Sequence, residues 1–202
     1  MRIHFIRHGQ STANLLGEFA NRDDGHPLTQ TGIEQAREAA SLLANRHVVR
    51  IYSSPLLRAR QTAEIIGTSV ALNLSPVITE SLREWDVGVY EGTTDPHGWE
   101  LHAQVQQEWW RGNIQARMPG GEDLLMIRRR FRPLIDELVD SPPTGDVVCV
   151  GHGGLYLAML PEILENIERD TALRCGFPNA SDVVARVSEG RLYCLSWGDQ
   201  SI

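Results

Sequence analysis

The sequence predicts an α/β protein, a three-layer α/β/α sandwich on a mostly parallel central sheet, with a helical cap inserted over residues 86–121. Three observations carry that expectation. Short apolar segments suited to buried strands alternate with longer segments of helical periodicity. A strand followed by a His-Gly step and a helix occurs twice, after Ile6-Arg7 and after Val150-Gly151. Between them one stretch breaks the alternation: from Asp86 to Gly121 the chain is rich in Trp, Gln and His, lacks β-branched runs and closes on Pro119-Gly120-Gly121. With 202 residues, residues 1–202 are read as a single domain carrying that insertion.

Ile3 to Ile6 is apolar apart from His4 and breaks at Arg7-His8-Gly9, a buried strand running into a loop. Thr31 and Glu34 have capping-box spacing, and Ile33, Ala36, Ala40 and Leu43 share a face, which predicts a helix over 31–45. Val48 to Tyr52 is the second strand. It ends in Ser53-Ser54-Pro55, after which Leu56 to Gly67 reads as a helix with Arg58 and Arg60 in its first turns. Val77-Ile78 is a short apolar run before the cap. Ile127, Phe131, Leu134, Ile135 and Leu138 mark an amphipathic helix, with a kink expected at Pro133. Val147 to Val150 is a fully apolar strand, and its Gly151-His152-Gly153-Gly154 break leads into a helix over 155–160. Strands at 182–187 and 192–195 follow.

Charge and composition exclude several chemistries. The net charge of -7 argues against a broad nucleic-acid or anionic-membrane surface, so neither partner is expected. All 19 basic residues are Arg, and with no Lys there can be no Schiff-base chemistry and no P-loop of the Gly-Lys-Ser/Thr type. Cys149, Cys175 and Cys194 are odd in number, far apart and without a Cys-x-x-Cys pair, which reads as reduced thiols. His4 and His8 are four apart, but on a strand that spacing gives no shared helix face and no zinc pair. The first residues hold too short an apolar stretch for a signal peptide, so a cytoplasmic protein is expected. Oligomeric state is not legible, a homodimer included.

In a parallel α/β sheet, ligands bind beyond the carboxyl ends of the strands. The loops carrying Arg7-His8, Arg58 and His152 therefore converge on one crevice. Two arginines and two histidines there call for an anionic ligand, and the planar guanidinium fork suits phosphoryl oxygens. Neighbouring positive charge would hold a histidine neutral, as a nucleophile requires. Arg128-Arg129-Arg130 is expected to be a solvated helix face. Trp99, Trp109 and Trp110 fit equally as pocket lining or as anchors of the cap.

These residues resemble the histidine phosphatase superfamily that includes the cofactor-dependent phosphoglycerate mutases. The resemblance rests on Arg7-His8-Gly9-Gln10-Ser11 with Asn14; Pro27-Leu28-Thr29 with Gly32; the run from Ser53 to Ala63; Leu82-Arg83-Glu84 with Gly88 and Glu91-Gly92; Pro119 to Glu122; and Gly151 to Gly154. It implies that His8 is the nucleophile, becoming phosphohistidine, and that Arg7, Arg58 and His152 clamp the phosphoryl oxygens. Asn14, Ser11 and Gly153 contribute to phosphate or substrate binding, and Glu84 is the general acid and then base. No metal or other cofactor is expected, because arginines supply the charge. Mutases resembling this chain carry an Arg-His-Tyr-Gly block and a substrate-binding Lys. Here Thr93-Thr94-Asp95-Pro96 follows Glu91-Gly92, and Lys is absent. The expectation is a phosphatase acting on a small-molecule phosphomonoester, with mutase-type transfer or a non-catalytic phospholigand module as alternatives. The substrate stays open among sugar, glycerate, serine and nucleoside phosphates.

Overall fold

The computed structural model describes residues 1–22, 25–69 and 73–202. The elements run β1 (Arg2–Arg7), α1 (Thr12–Leu16), α2 (Gln30–Leu43), β2 (Val48–Ser53), α3 (Leu57–Gly67), β3 (Val77–Ile78), α4 (Pro96–Trp110), α5 (Leu124–Asp140), β4 (Asp146–Gly151), α6 (Gly153–Ile163), α7 (Arg169–Cys175), β5 (Asp182–Ser188), β6 (Arg191–Trp197) and β7 (Gln200–Ser201). One sheet holds the strands in the order β3-β2-β4-β1-β5-β6-β7. The first four are mutually parallel, and β5, β6 and β7 add antiparallel. The sheet is thus parallel at its centre, where the alternation of strand and helix places it, and antiparallel along one side. A two-residue turn makes the difference: Glu189 and Gly190 both have positive φ (52° and 72°), which joins β5 to β6 as a hairpin with no crossover helix.

Alternation along the central strands divides the core in two. Ile3 and Phe5 of β1 and Val147 and Cys149 of β4 pack with α5, α6 and the 86–121 segment. Ile6, Val148 and Val150 pack instead with α2 and α3 on the opposite face. Burial on both faces explains why these strands read as unbroken apolar runs. On α5 the stripe Ile127, Phe131, Leu134, Ile135 and Leu138 is buried as the spacing requires, and the helix runs through Pro133 as one span. Each such side chain contributes roughly 1.5–3 kcal/mol of burial.

One local expectation is corrected. Helix α2 is capped by Thr29, whose side-chain oxygen accepts from the Gly32 N–H at 3.0 Å, and not by the Thr31–Glu34 box. Thr29 is also tied to Gln10 through a side-chain hydrogen bond of 2.9 Å, so a tertiary contact chose between two capping threonines. The short helices α1 and α7 have no periodic apolar pattern long enough to be anticipated. Among the described residues no helix is long and apolar enough to cross a membrane.

Candidate active site

Three adjacent parallel strands end side by side. His8 N–H donates to Gly151 O at 3.0 Å, directly beyond the Arg7–Gly151 register pair, and Ser54 N–H donates to Val150 O at 2.9 Å. His8, Ser54 and His152 are therefore held at one edge by the register of β1, β2 and β4. Close backbone approach fixes the loop after His8. A Cβ on Gly9 would run into the Gly32 carbonyl and one on Gly32 into the Gln10 carbonyl, so only glycines allow α2 to abut it. Gly9 N–H donates to Thr62 Oγ1 at 3.1 Å, and Thr62 Oγ1 donates to Arg58 O at 2.8 Å, locking this loop to α3.

His8 is 3% exposed. Its Nδ1 lies 2.7 Å from Gly9 O, an acceptor only, so Nδ1 carries the proton. Nε2 then presents a lone pair, which accepts from Arg58 Nε–H at 3.1 Å. Burial pushes the His8 imidazole well below its ordinary value, and Arg58 and Arg7 push it further down. The His152 ring centroid is 5.0 Å from that of His8, and His152 is likewise held neutral, by burial first and by Arg58 next. His152 Nε2 lies 2.7 Å from Ser54 Oγ. The two guanidiniums are anchored through backbone carbonyls, Arg58 Nη1 to Ala20 O at 2.8 Å and Arg7 Nη1 to Phe177 O at 2.6 Å. Burial lowers Arg58 to about 10, still charged at neutral pH.

Glu84 faces this group across a cleft of about 250 Å³ that Arg7, His8, Asn14, Arg58 and Gly153 also line. Its Oε1 accepts from Trp85 N–H at 3.0 Å and its Oε2 from Gly154 N–H at 2.8 Å. Burial raises the carboxyl above its ordinary value, and the opposing N–H bonds and arginines do not cancel the effect. A buried carboxyl kept protonated to higher pH can donate a proton, and a neutral imidazole in the same cleft can attack an electrophile once Arg58 releases its Nε2 lone pair.

Of the remaining sequence-predicted residues, Asn14 reaches the cleft. Its Oδ1 accepts from Ser11 N–H at 3.0 Å and Asn179 Nδ2 at 3.2 Å, which turns its NH2 outward as a donor. Gly153 lets Arg7 pack flat against the start of α6, for an added Cβ would sit 3.3 Å from Arg7 Nε. Ser11 is not among the described residues that line the cleft. It is fully buried behind Asn14, with its Oγ donating to Asn14 Oδ1 at 3.2 Å, because it caps α1 and does not line the cleft.

The tryptophans divide. Trp99 lines the cleft, Trp109 is buried with its Nε1–H on Ala116 O at 2.7 Å, and Trp110 offers its carbonyl to Arg169. His4 is buried in the middle of β1, 3.7 Å from both Asp146 and Asp182, and is not among the described residues lining the cleft.

Two structural supports escaped sequence reasoning. Arg130, expected on a solvated face, forks onto Glu122 at 2.9 and 3.0 Å and donates to Arg83 O at 2.8 Å, while Glu122 Oε2 accepts from Asp86 N–H at 2.9 Å. This clamp holds both flanks of Glu84. Segment 177–181 binds the other side: besides Phe177 O on Arg7, Asn179 Nδ2 donates to His8 O at 3.1 Å and Ala180 N–H to Arg7 O at 3.1 Å. Neither signal lies in local sequence, since the partners are separated by 47 and 171 positions.

Comparison with known proteins agrees with this geometry. The chain is 30% identical over 177 residues to a probable phosphoglycerate mutase GpmB of Yersinia pestis, covering 86% of this chain and 81% of that protein. Its fold superposes on a mycobacterial glucosyl-3-phosphoglycerate phosphatase solved with VO3 at TM-score 0.81, 30% identity, covering 98% and 99% of the two chains. It also matches a phosphoserine phosphatase of Entamoeba histolytica solved with 3-phosphoglyceric acid, at TM-score 0.78, 25% identity and 98% and 97% coverage. With the family model for the histidine phosphatase superfamily (branch 1) matching residues 3–200, the chain belongs to that superfamily.

Proposed function

We propose that this protein is a phosphomonoesterase that hydrolyses a small-molecule phosphate through a phosphohistidine on His8. The observation that carries the proposal is the state of His8: buried, neutral, protonated on Nδ1 by its bond to Gly9 O, with the Nε2 lone pair beside Arg58. On substrate binding, Arg58 turns its N–H from Nε2 to a phosphoryl oxygen, joined by Arg7, Asn14 and His152. Nε2 attacks phosphorus, the P–O bond to the alcohol breaks, and the Glu84 proton passes to the departing oxygen. Glu84, now a carboxylate, takes a proton from water as that water attacks the phosphohistidine. Phosphate leaves, and neutral His8 and protonated Glu84 are restored. Residues 86–121 act as a cap over the leaving group, and residues 1–202 work as one domain.

Two features favour hydrolysis over a mutase-type shift. The chain has no Lys, and the run Leu155-Tyr156-Leu157 in the first turns of α6 is apolar, with Leu157 lining the cleft. The experiment is phosphate release from a phosphomonoester panel with chelator present, comparing the unaltered protein with His8→Ala and Glu84→Gln. Release lost in His8→Ala, and slowed in Glu84→Gln more for alkyl than for aryl phosphates, is expected. Undiminished release from His8→Ala would refute the assignment, and isomerised substrate without free phosphate would establish the mutase.

A further inference from the structure

Beyond the phosphoryl end the cleft changes character. Its two arginines are both committed at His8: Arg58 touches Nε2, and Arg7 lies under Gly153 with its Nη1 on Phe177 O. No further arginine is found among the described residues lining the cleft, and the chain has no Lys to supply a cation. Apart from the residues grouped around His8, the lining includes Glu18, Trp99, His102, Gln106 and Leu157. Glu18 is the one formal charge in that group, and it is negative. His102, pushed down to about 4 by burial, is neutral at physiological pH. Gln106 offers an amide.

Trp99 is fixed in orientation. It stacks on Phe19 with centroids 3.9 Å apart and planes at 21°, and its Nε1–H donates to Gly17 O at 2.8 Å. It is nevertheless 41% exposed, so part of the ring not covered by Phe19 is open at the cleft. A rigid aromatic surface of this kind suits the apolar face of another ring. A carboxylate on the leaving group would lose its water and meet Glu18, whose own partner is His26 Nε2 at 3.3 Å, and would find no cation beyond Arg7 and Arg58 among the described residues lining the cleft. The volume of about 250 Å³ is modest for a ligand pocket and suits a small alcohol.

Resting on the phosphatase reading, we infer that the alcohol released is uncharged and carries a ring that lies against Trp99, as in a pentose or hexose phosphate, and that phosphate esters of hydroxy acids are selected against.

The test measures kcat/KM on the full chain with p-nitrophenyl phosphate as reference. Glycerol 3-phosphate against 3-phosphoglycerate isolates the carboxylate, and ribose 5-phosphate against glycerol 3-phosphate isolates the ring. Ribose 5-phosphate and glucose 6-phosphate then separate the ring classes. Glycerol 3-phosphate should exceed 3-phosphoglycerate by about tenfold or more, since an unpaired like charge is strongly disfavoured. Glu18→Gln should narrow that gap, and Gln106→Arg should raise 3-phosphoglycerate relative to glycerol 3-phosphate. Trp99→Ala should reduce the ring preference by about 3- to 10-fold. Equal or better use of 3-phosphoglycerate by the unaltered protein, or a ring preference untouched by Trp99→Ala, would overturn the inference while leaving the phosphatase reading standing. Absence of His8-dependent hydrolysis of p-nitrophenyl phosphate would remove that reading and the inference with it.

Discussion

Adding one methyl group at Gly154 should disable the acid without touching the nucleophile. A Cβ there would lie 2.9 Å from both oxygens of Glu84 and 2.7 Å from Trp85 Nε1, closer than side-chain carbons are found to such atoms. The carboxyl must withdraw, and the 2.8 Å bond from Gly154 N–H to its Oε2 is stretched or lost. A hydrogen bond to a charged group contributes roughly 1.5–3 kcal/mol. At about 1.4 kcal/mol per factor of ten, misplacement of Glu84 should lower turnover that needs protonation by about 10- to 100-fold. That reaches only the lower end of the roughly 10²–10⁴ attributed to a general acid, as expected for a carboxyl that is displaced and not removed. The assay is kcat/KM for an alkyl phosphate against an aryl phosphate. This quantity covers steps only through departure of the alcohol, and an aryl oxygen leaves without a proton. Gly154→Ala should therefore depress the alkyl-to-aryl ratio, and in a Glu84→Gln background it should depress it little further, because both changes act through the same carboxyl. A fall of equal size for both substrates, in a protein whose melting temperature is unchanged, would refute the reasoning.

Two other outcomes follow from the same geometry. For alkyl phosphates, kcat/KM should fall at low pH as His8 takes up a proton, with the midpoint below the ordinary histidine value of 6.5 because burial, Arg58 and Arg7 disfavour imidazolium. It should fall again at high pH as Glu84 loses its proton, at a midpoint above the ordinary 4.5, and aryl phosphates should lack that second limb; an acid limb at or above pH 6.5 contradicts the assignment. Arg130→Met removes the clamp on the Glu84 loop from a pair whose side chains are 18% and 16% exposed. It should cost about 1–3 kcal/mol, less than the loss of a fully buried pair, lowering the melting temperature by roughly 2–4 °C per kcal/mol. Its effect on alkyl phosphates should exceed that on aryl ones. A melting shift with an unchanged alkyl-to-aryl ratio would show that Arg130 stabilises the fold without positioning Glu84.

Much of this protein could be read from its residues, for identifiable reasons. The strands at Ile3–Ile6 and Val147–Val150 announce themselves because burial on both faces demands unbroken apolar runs. Arg7, His8 and His152 follow from them, since a strand end fixes the residue that comes next. Absence of Lys excludes whole chemistries with no coordinates needed. What depends on contacts distant in sequence was not legible. The choice of Thr29 over Thr31 as the cap, the withdrawal of Ser11 behind Asn14, and the pairing of Arg130 with Glu122 beneath Glu84 were each settled by packing. The division of labour among the tryptophans was settled the same way: only the packed structure shows that Trp109 is interior and Trp99 lines the cleft. Periodicity and residue type report the local chain and the solvent it avoids. The protonation of His8 and Glu84, and the charge balance that a leaving group meets, arise from groups brought together by the whole fold.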